Sequence, residues 1–309
     1  MKTWDVSIVG ELYVDHILSG FQAWPGPGEE VFARDYVREI GGGAANTACG
    51  LSRLGRSVNL VGVIGRDDAG WFERRLAEFG LDAAGLQRTD GPTGLTLSVS
   101  TREDRSFFTH WGANRHLAEI LLSPATLASL AVSRHVHFAM PLSPPQARRI
   151  LPALAAAGVA TTLDVGYQPA WLADAGNYPT LRAVDHLLPN EKEAALLSGA
   201  EGPDPFFAFA RAEALRSPLL KRGALGAMGQ TQGARIEVAP PPVDAVDTTG
   251  AGDAFDAGFI DALIDGADLE ESLRRACICG ALSTRAPGAL AGLPDRAELR
   301  SVHDQTYRS

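Results

Sequence analysis

Between Val58 and Leu188 the chain alternates short apolar runs with longer stretches of helical spacing, and this rhythm limits the open folds more than any other feature. Val58 to Gly65 reads as a buried strand, followed by an amphipathic helix from Trp71-Phe72 to Phe79 that Gly80 caps. Residues 117–130 and 145–157 carry helical spacing, with the strand His135–Met140 between them. The second of these helices leads to strand Val159–Val165, and Ala183–Leu188 is a further strand. Trp4 to Val9, closed by Gly10, adds a first buried strand at the N-terminus. Strands and helices in repeated alternation predict an α/β fold: a central, mostly parallel sheet flanked by helices on both faces. At 309 residues and 45% hydrophobic, the chain can bury a sizeable core, in one large domain or two small ones.

Two segments break the rhythm. One follows the turn cluster Pro25-Gly26-Pro27-Gly28 and runs from Val31 to Ile40 with strand-like composition. The other, Thr93 to His110, alternates Leu95, Leu97 and Val99, then Phe107 and Thr109, around the polar tip Arg102-Glu103-Asp104-Arg105. These strands do not fit the strand–helix alternation of the rest of the chain. A surface meander without function is the plainer alternative.

Composition removes several classes of function. With 28 basic against 37 acidic residues, neither nucleic acid nor an anionic membrane is expected as the main partner. Asp5 interrupts the N-terminus before any long apolar region, so no secretory leader is expected, and no run approaches the roughly 20 apolar residues of a membrane span. Three cysteines in a chain of this length make no disulfide framework, and the expected setting is reducing and cytoplasmic. Cys277 and Cys279 sit two apart on a helix and read as small buried hydrophobes. His135 and His137 share a strand face with no Asp, Glu or Cys at metal spacing, so they read as packing or substrate contacts.

The chemistry concentrates in Asp247-Thr248-Thr249-Gly250-Ala251-Gly252-Asp253-Ala254-Phe255. It is turn-like up to Thr249, and from Ala254 the apolar residues Phe255, Phe259 and Ala262-Leu263 recur on one helix face. Gly250, Ala251 and Gly252 therefore open a helix, where unpartnered N–H groups and the positive end of the dipole suit an anion such as a phosphoryl group. Asp253, a carboxylate beside that anion site, suits removal of a proton from an attacking hydroxyl. An ordinary capped helix is the plainer alternative.

The full string resembles the C-terminal signature of the ribokinase-like (pfkB) family of sugar and nucleoside kinases, and the likeness extends over about residues 4 to 295 in four motifs. The resemblance implies a single ribokinase-like, Rossmann-like domain over residues 1–309, with a β-sheet lid from about 12–40 and 93–112. It implies a phosphotransferase with an alcohol group as acceptor, Asp253 as catalytic base, and Gly250, Ala251 and Gly252 as the anion hole. Gly10-Glu11-Leu12-Tyr13-Val14-Asp15 is similar to the family's opening, in which Asp15 would bind acceptor hydroxyls. Gly41-Gly42-Gly43-Ala44-Ala45-Asn46 is no dinucleotide fingerprint, because Asn46 stands where the third glycine should be. It resembles the family's N-terminal signature, which makes Gly42, Gly43 and Asn46 substrate contacts.

Asn190 and Glu193 match the family's Asn-x-x-Glu, implying ATP phosphate contact and hydrated Mg²⁺; a capping box fits the same residues. Lys221, Gly223 and Gly226 resemble the ATP-site segment, although a Lys at a strand end is usually just solvated. Asp247 is carried over to a monovalent-cation (K⁺) site completed by a loop at about Arg285 to Gly288. By the same analogy the lid pairs two copies into a homodimer.

Departures bear on the acceptor. Gly166 and Gln168 stand where keto-deoxygluconate kinases carry Asn and Arg, which disfavours an acidic sugar. Ala139 stands where ribokinases have an acidic contact, which tells against ribose itself. The expectation is ATP-dependent transfer to a hydroxyl, normally a hydroxymethyl, of a neutral sugar. The alternatives are a nucleoside, its base in a slot supplied by Phe107 or Trp111, and a sugar-binding regulator without catalysis.

Overall fold

The computed structural model describes residues 2–21, 23–100, 105–231 and 234–307. The strands are β1 Trp4–Gly10, β2 Tyr13–Ser19, β3 Asp35–Gly41, β4 Val58–Gly65, β5 Leu86–Thr89, β6 Gly94–Ser100, β7 Arg105–His110, β8 Ser133–Ala139, β9 Ala160–Leu163, β10 His186–Leu187, β11 Ser217–Lys221, β12 Ala227–Thr231 and β13 Ala234–Val238. Nine of them make one sheet in the order β13-β12-β11-β10-β9-β8-β1-β4-β5. It is parallel from β11 to β5, with β12 and β13 added antiparallel at one edge. Every residue of β4 is buried and the last five of β1 are too, as a strand covered by helices on both faces requires. This is the doubly covered α/β sheet expected from the alternation.

A second sheet holds β3-β2-β6-β7, with β2 and β6 parallel and its outer pairs antiparallel. The two off-rhythm segments thus share one sheet, with β2 between them pairing with both. Strand β3 begins only at Asp35, not at Val31, and β2, which contains Asp15, was not foreseen as a strand. Residues 102–104 of the polar hairpin tip lie outside the described residues.

Elsewhere local chemistry moved the boundaries. The helix expected at Trp71 begins at Arg66 and ends at Ala77, with Asp67 and Asp68 in its first turn, where the macrodipole favours acid. The stretch 117–130 is two helices, Leu117–Leu121 and Pro124–Ala131, because Pro124 starts a new helix capped by the Ser123 hydroxyl. Ala183 closes the helix Tyr178–Ala183, which leaves only His186–Leu187 as strand. The short β5 was missed because only its Leu86 is buried.

The motif helix Ala251–Ile264 is buried on nearly every side. It packs on the helix Gly43–Arg53, where a Cβ on Gly50 would stand 2.8 Å from the Ala257 Cβ. It also packs on Leu269–Ser283, where a Cβ on Gly258 would stand 2.6 Å from the Arg275 carbonyl oxygen. These close approaches, which only glycine permits, fix the middle of the motif helix between its two neighbours. The three cysteines are free and buried, and Cys277 and Cys279 enter different clusters of the core.

Candidate active site

Gly250 sits at the N-terminus of the motif helix with φ 73°, the left-handed region, and a Cβ there would lie 2.5 Å from the Ala289 Cβ. Conformation and space both demand glycine. Among the described residues no side chain caps the helix, and its first turn, with Ala251, Gly252 and Asp253, faces a cavity of about 920 Å³. An uncapped, partly accessible helix start is an anion site.

Asp253 stands at the wall of that cavity. Its Oδ2 accepts a hydrogen bond from Asn46 Nδ2 at 2.8 Å, across 207 positions of sequence. Among the described residues the buried Asn46 Oδ1 has no hydrogen-bond partner, which leaves an unused acceptor beside Asp253. Gly43 leaves the other side of the carboxylate clear: a Cβ there would be 3.1 Å from Asp253 Oδ1. Loss of solvent pushes the Asp253 carboxyl up to about 6; the Asn46 bond opposes this, the Asp164 charge adds to it and the Lys221 charge opposes it. A carboxylate that takes up a proton near neutrality, next to an anion site, is equipped as a general base.

Gly43, Ala139 and Glu11 line the same cavity near Asp253, and Gly223, Gly226 and Asn190 line it elsewhere. Gly226 has φ 86°, and a Cβ would stand 2.0 Å from the Val238 carbonyl oxygen. Asn190 and Glu193 form the capping box: Glu193 N donates to Asn190 Oδ1 at 3.0 Å, and Asn190 N donates to Glu193 Oε2 at 2.9 Å. Burial, then the Asp164 charge, pushes the Glu193 carboxyl up to about 7. A buried carboxylate on the cavity wall with no cation bonded to it fits an outer contact to hydrated Mg²⁺.

Lys221 is neither solvated nor free. Its Nζ donates to Asp164 Oδ2 at 2.6 Å and to Asp256 Oδ1 at 3.1 Å. Burial works against the ammonium, but the two carboxylates hold it above the ordinary lysine range. Burial likewise opposes ionisation of Asp164, yet Lys221 and the Gly166 N–H, 2.8 Å from Oδ1, bring its carboxyl down to about 2. Asp256 is pushed well up by burial. Neither Asp164 nor Asp256 was singled out from sequence. The signal for Asp256 was its i, i+3 spacing from Asp253, whereas Asp164 was read only for its neighbours Gly166 and Gln168.

Four further residues expected at the site are off the cavity wall or reach it indirectly. Asn46 lies behind the wall, bonded to Asp253, and Gly42, the N-cap of its helix with φ 94°, flanks Gly43. Asp15 projects from β2 of the small sheet against Gly41, where a Cβ would be 2.1 Å from its Oδ2. Burial pushes its carboxyl up to about 6. Asp247 ties the motif together: Oδ1 accepts from the N–H and hydroxyl of Thr249 at 2.9 and 2.7 Å, and Oδ2 from Gly288 N at 2.9 Å. The loop expected beside it is therefore there. His135 and His137 both hydrogen-bond the Thr162 hydroxyl in the core, as packing residues do.

Residues 5–296 match the sequence pattern of the pfkB family carbohydrate kinases. The chain is 28% identical to the ribokinase of Haemophilus influenzae over 301 residues, covering 95% of this chain and 96% of that one. It is 31% identical to a fructokinase of Klebsiella pneumoniae, covering 84% and 90%. Its fold superposes on the Arabidopsis thaliana ribokinase complexed with ribose and ATP with a TM-score of 0.84 at 25% identity, covering 97% and 98%.

Proposed function

This chain belongs to the pfkB family of carbohydrate kinases, phosphotransferases acting on hydroxyl groups, and within it we propose ATP-dependent transfer of the γ-phosphate to a hydroxymethyl group of a neutral sugar. The observation that carries this is Asp253: a carboxylate with raised proton affinity, bonded by Asn46, at the first turn of an uncapped helix. Asp253 accepts the proton of the attacking hydroxyl, a step worth roughly 10²–10⁴ in rate. The N–H groups around Gly250, Ala251 and Gly252 stabilise charge on the transferring phosphoryl group, worth about 10²–10³ more. Asn46 and Gly43 place the hydroxyl, with the orphan Asn46 Oδ1 accepting from the sugar. Asp15 and Gly42 bring the small sheet over the acceptor as a lid, excluding competing water.

Asn190, Gly223 and Gly226 take the nucleotide side, where Lys221 contributes positive charge. Glu193 would hold Mg²⁺ through water; the ion would neutralise phosphate charge. Asp247 and the 285–288 loop are the place for K⁺ in this reading. A neutral acceptor is supported by Gly166 and Gln168, which supply no cationic partner for an acidic sugar. The exposed lid aromatics Phe107 and Trp111 keep a nucleoside as the second reading. The exposed Tyr36, Val37 and Phe108 of the small sheet suit pairing of two copies through the lid. A reducing, cytoplasmic setting completes the proposal.

The test is ADP release with ATP and Mg²⁺ against pentoses, hexoses, ketoses and nucleosides. Turnover is expected with a neutral sugar. Turnover only with nucleosides would replace the substrate class, and sugar binding without turnover would overturn catalysis.

A further inference from the structure

Carboxylate oxygens of Asp164, Asp253 and Asp256 all lie within 4.8 Å of one another, a spacing at which unbalanced negative charge is costly. The cation among them is the chain's own. Lys221 Nζ bonds Asp164 and Asp256, and a Cβ on Gly252 would sit 3.5 Å from it, so the ammonium lies directly behind the first turn of the motif helix. Lys221 is buried at the wall of the cavity and held from two sides, by one carboxylate on that wall and one in the core. A lysine serving chiefly as a mobile phosphate ligand would need to break both ion pairs to move.

We infer that Lys221, Asp164 and Asp256 form a buried charge clamp that sets the electrostatic state of the base Asp253, with Lys221 acting through these carboxylates and not by binding phosphate. The inference rests on Asp253 being the base. The groups that face Asp253 from the packed elements are Asn46 on the Gly43–Arg53 helix, Asp164 after β9, Lys221 on β11 and Asp256 on its own helix. Glu193 and His137 complete the surround: Glu193 interacts with Asp164 and Lys221, and the His137 Nε2, which has no hydrogen-bond partner among the described residues, lies 3.9 Å from Asp256 Oδ2. His137 is kept neutral, its imidazole pushed down to about 4 by burial. With burial pushing Asp256 well up towards its neutral form, the charges nearest the base are one anion, Asp164, and one cation, Lys221. The Asp164 charge raises the proton affinity of Asp253 and the Lys221 charge lowers it. Two carboxylates side by side, one held ionised and one poised to take a proton, divide the roles of electrostatic support and base.

The clamp makes a prediction of opposite signs. Asp164→Asn should move the acid limb of the kcat/KM–pH profile to lower pH, and Lys221→Met should move it to higher pH, each by about one unit or more for a unit charge at this distance. Lys221→Arg, which keeps the charge, should leave the limb within half of the Lys221→Met shift. The profiles would be recorded at saturating ATP with the best acceptor of the panel, beside the KM for ATP and a thermal melt of each variant. Limbs that stay put, or that move in the same direction, overturn the clamp. A Lys221→Met variant whose only defect is a raised KM for ATP also overturns it, in favour of direct phosphate contact. If Lys221→Met does not fold, Asp164→Asn decides alone: a limb that fails to move down refutes the inference. An Asp253→Asn variant run in parallel separates the two levels. Full activity in that variant removes the premise, whereas an inactive Asp253→Asn with unmoved limbs removes only the clamp.

Discussion

Replacing Asp253 by Asn should make the protein more stable as it makes it inactive. The carboxyl titrates at about 6 in the fold and near 3.8 when exposed. Each unit of such a shift is worth about 1.4 kcal/mol, so at pH 8 the ionised form costs the wild type about 3 kcal/mol, or 2–3 after allowing for its partial exposure to the cavity. The sign follows from the raised value. A group whose folded value exceeds its unfolded one adds stability below the unfolded value and loses it as pH rises through the folded one. The gap between variant and wild type should therefore open between pH 4 and 6 and be flat above it. Near pH 4 it should shrink to about 0.5 kcal/mol. At about 2–4 °C per kcal/mol, thermal melts at pH 8 should show Asp253→Asn higher by roughly 4–12 °C. Urea unfolding at pH 8 and pH 4 would measure the same difference as free energy. A variant equal to or less stable than the wild type at pH 8 would refute the argument, because it would mean that the site solvates the charge and the base is not poised.

Other expectations follow from single contacts. Asn46→Ala removes a hydrogen bond to an ionised carboxylate, worth about 1.5–3 kcal/mol, and should raise the Asp253 value by about one to two units. The loss in kcat/KM should then be roughly 2–10-fold at pH 7 from ionisation alone and smaller at pH 9; an equal loss at both would show that Asn46 serves only binding. In the wild type, kcat/KM should fall as pH drops below about 6, where Asp253 takes up its proton. Asp261 is fully buried on the motif helix and paired with Arg56, Arg275 and Arg296. Asp261→Ala removes an acceptor that these guanidinium groups share, while Arg56 and Arg275 keep Asp265 and Arg296 keeps the Leu54 carbonyl, and should cost about 1–3 kcal/mol, read as a lower melting temperature with unchanged pH dependence of activity. Gly258→Val drives a side chain into the backbone at Arg275 and should destabilise by about 1–3 kcal/mol or more, with loss of activity as the motif helix shifts.

Much of this architecture is local, and local chemistry is what a sequence displays. The strand–helix rhythm, the capping box of Asn190 and Glu193, the hairpin from Gly94 to His110 and the glycine-opened motif helix all follow from neighbouring residues. Boundaries moved where a competing local signal lay inside the window, as Pro124 did. What stayed hidden depends on distant pairing. Asp15 looks like a loop residue until β3 and β6 come alongside, and Lys221 looks solvated until Asp164, 57 positions earlier, and Asp256, 35 later, close on it. Periodicity carries no information on such contacts. The acceptor is harder still, because its contacts come from residues spread over the small sheet, the Gly43 helix and the strand ends.

The most direct test of the account is the fate of the γ-phosphate. Phosphorus NMR of wild type and Asp253→Asn, each with ATP, Mg²⁺ and the neutral sugar that gives most ADP release, would identify the product. The account predicts a sugar phosphomonoester on a hydroxymethyl carbon from the wild type, and loss of that signal by at least about a hundredfold in the variant. Only inorganic phosphate from the wild type, or the same phosphomonoester at similar rates from both proteins, would contradict it.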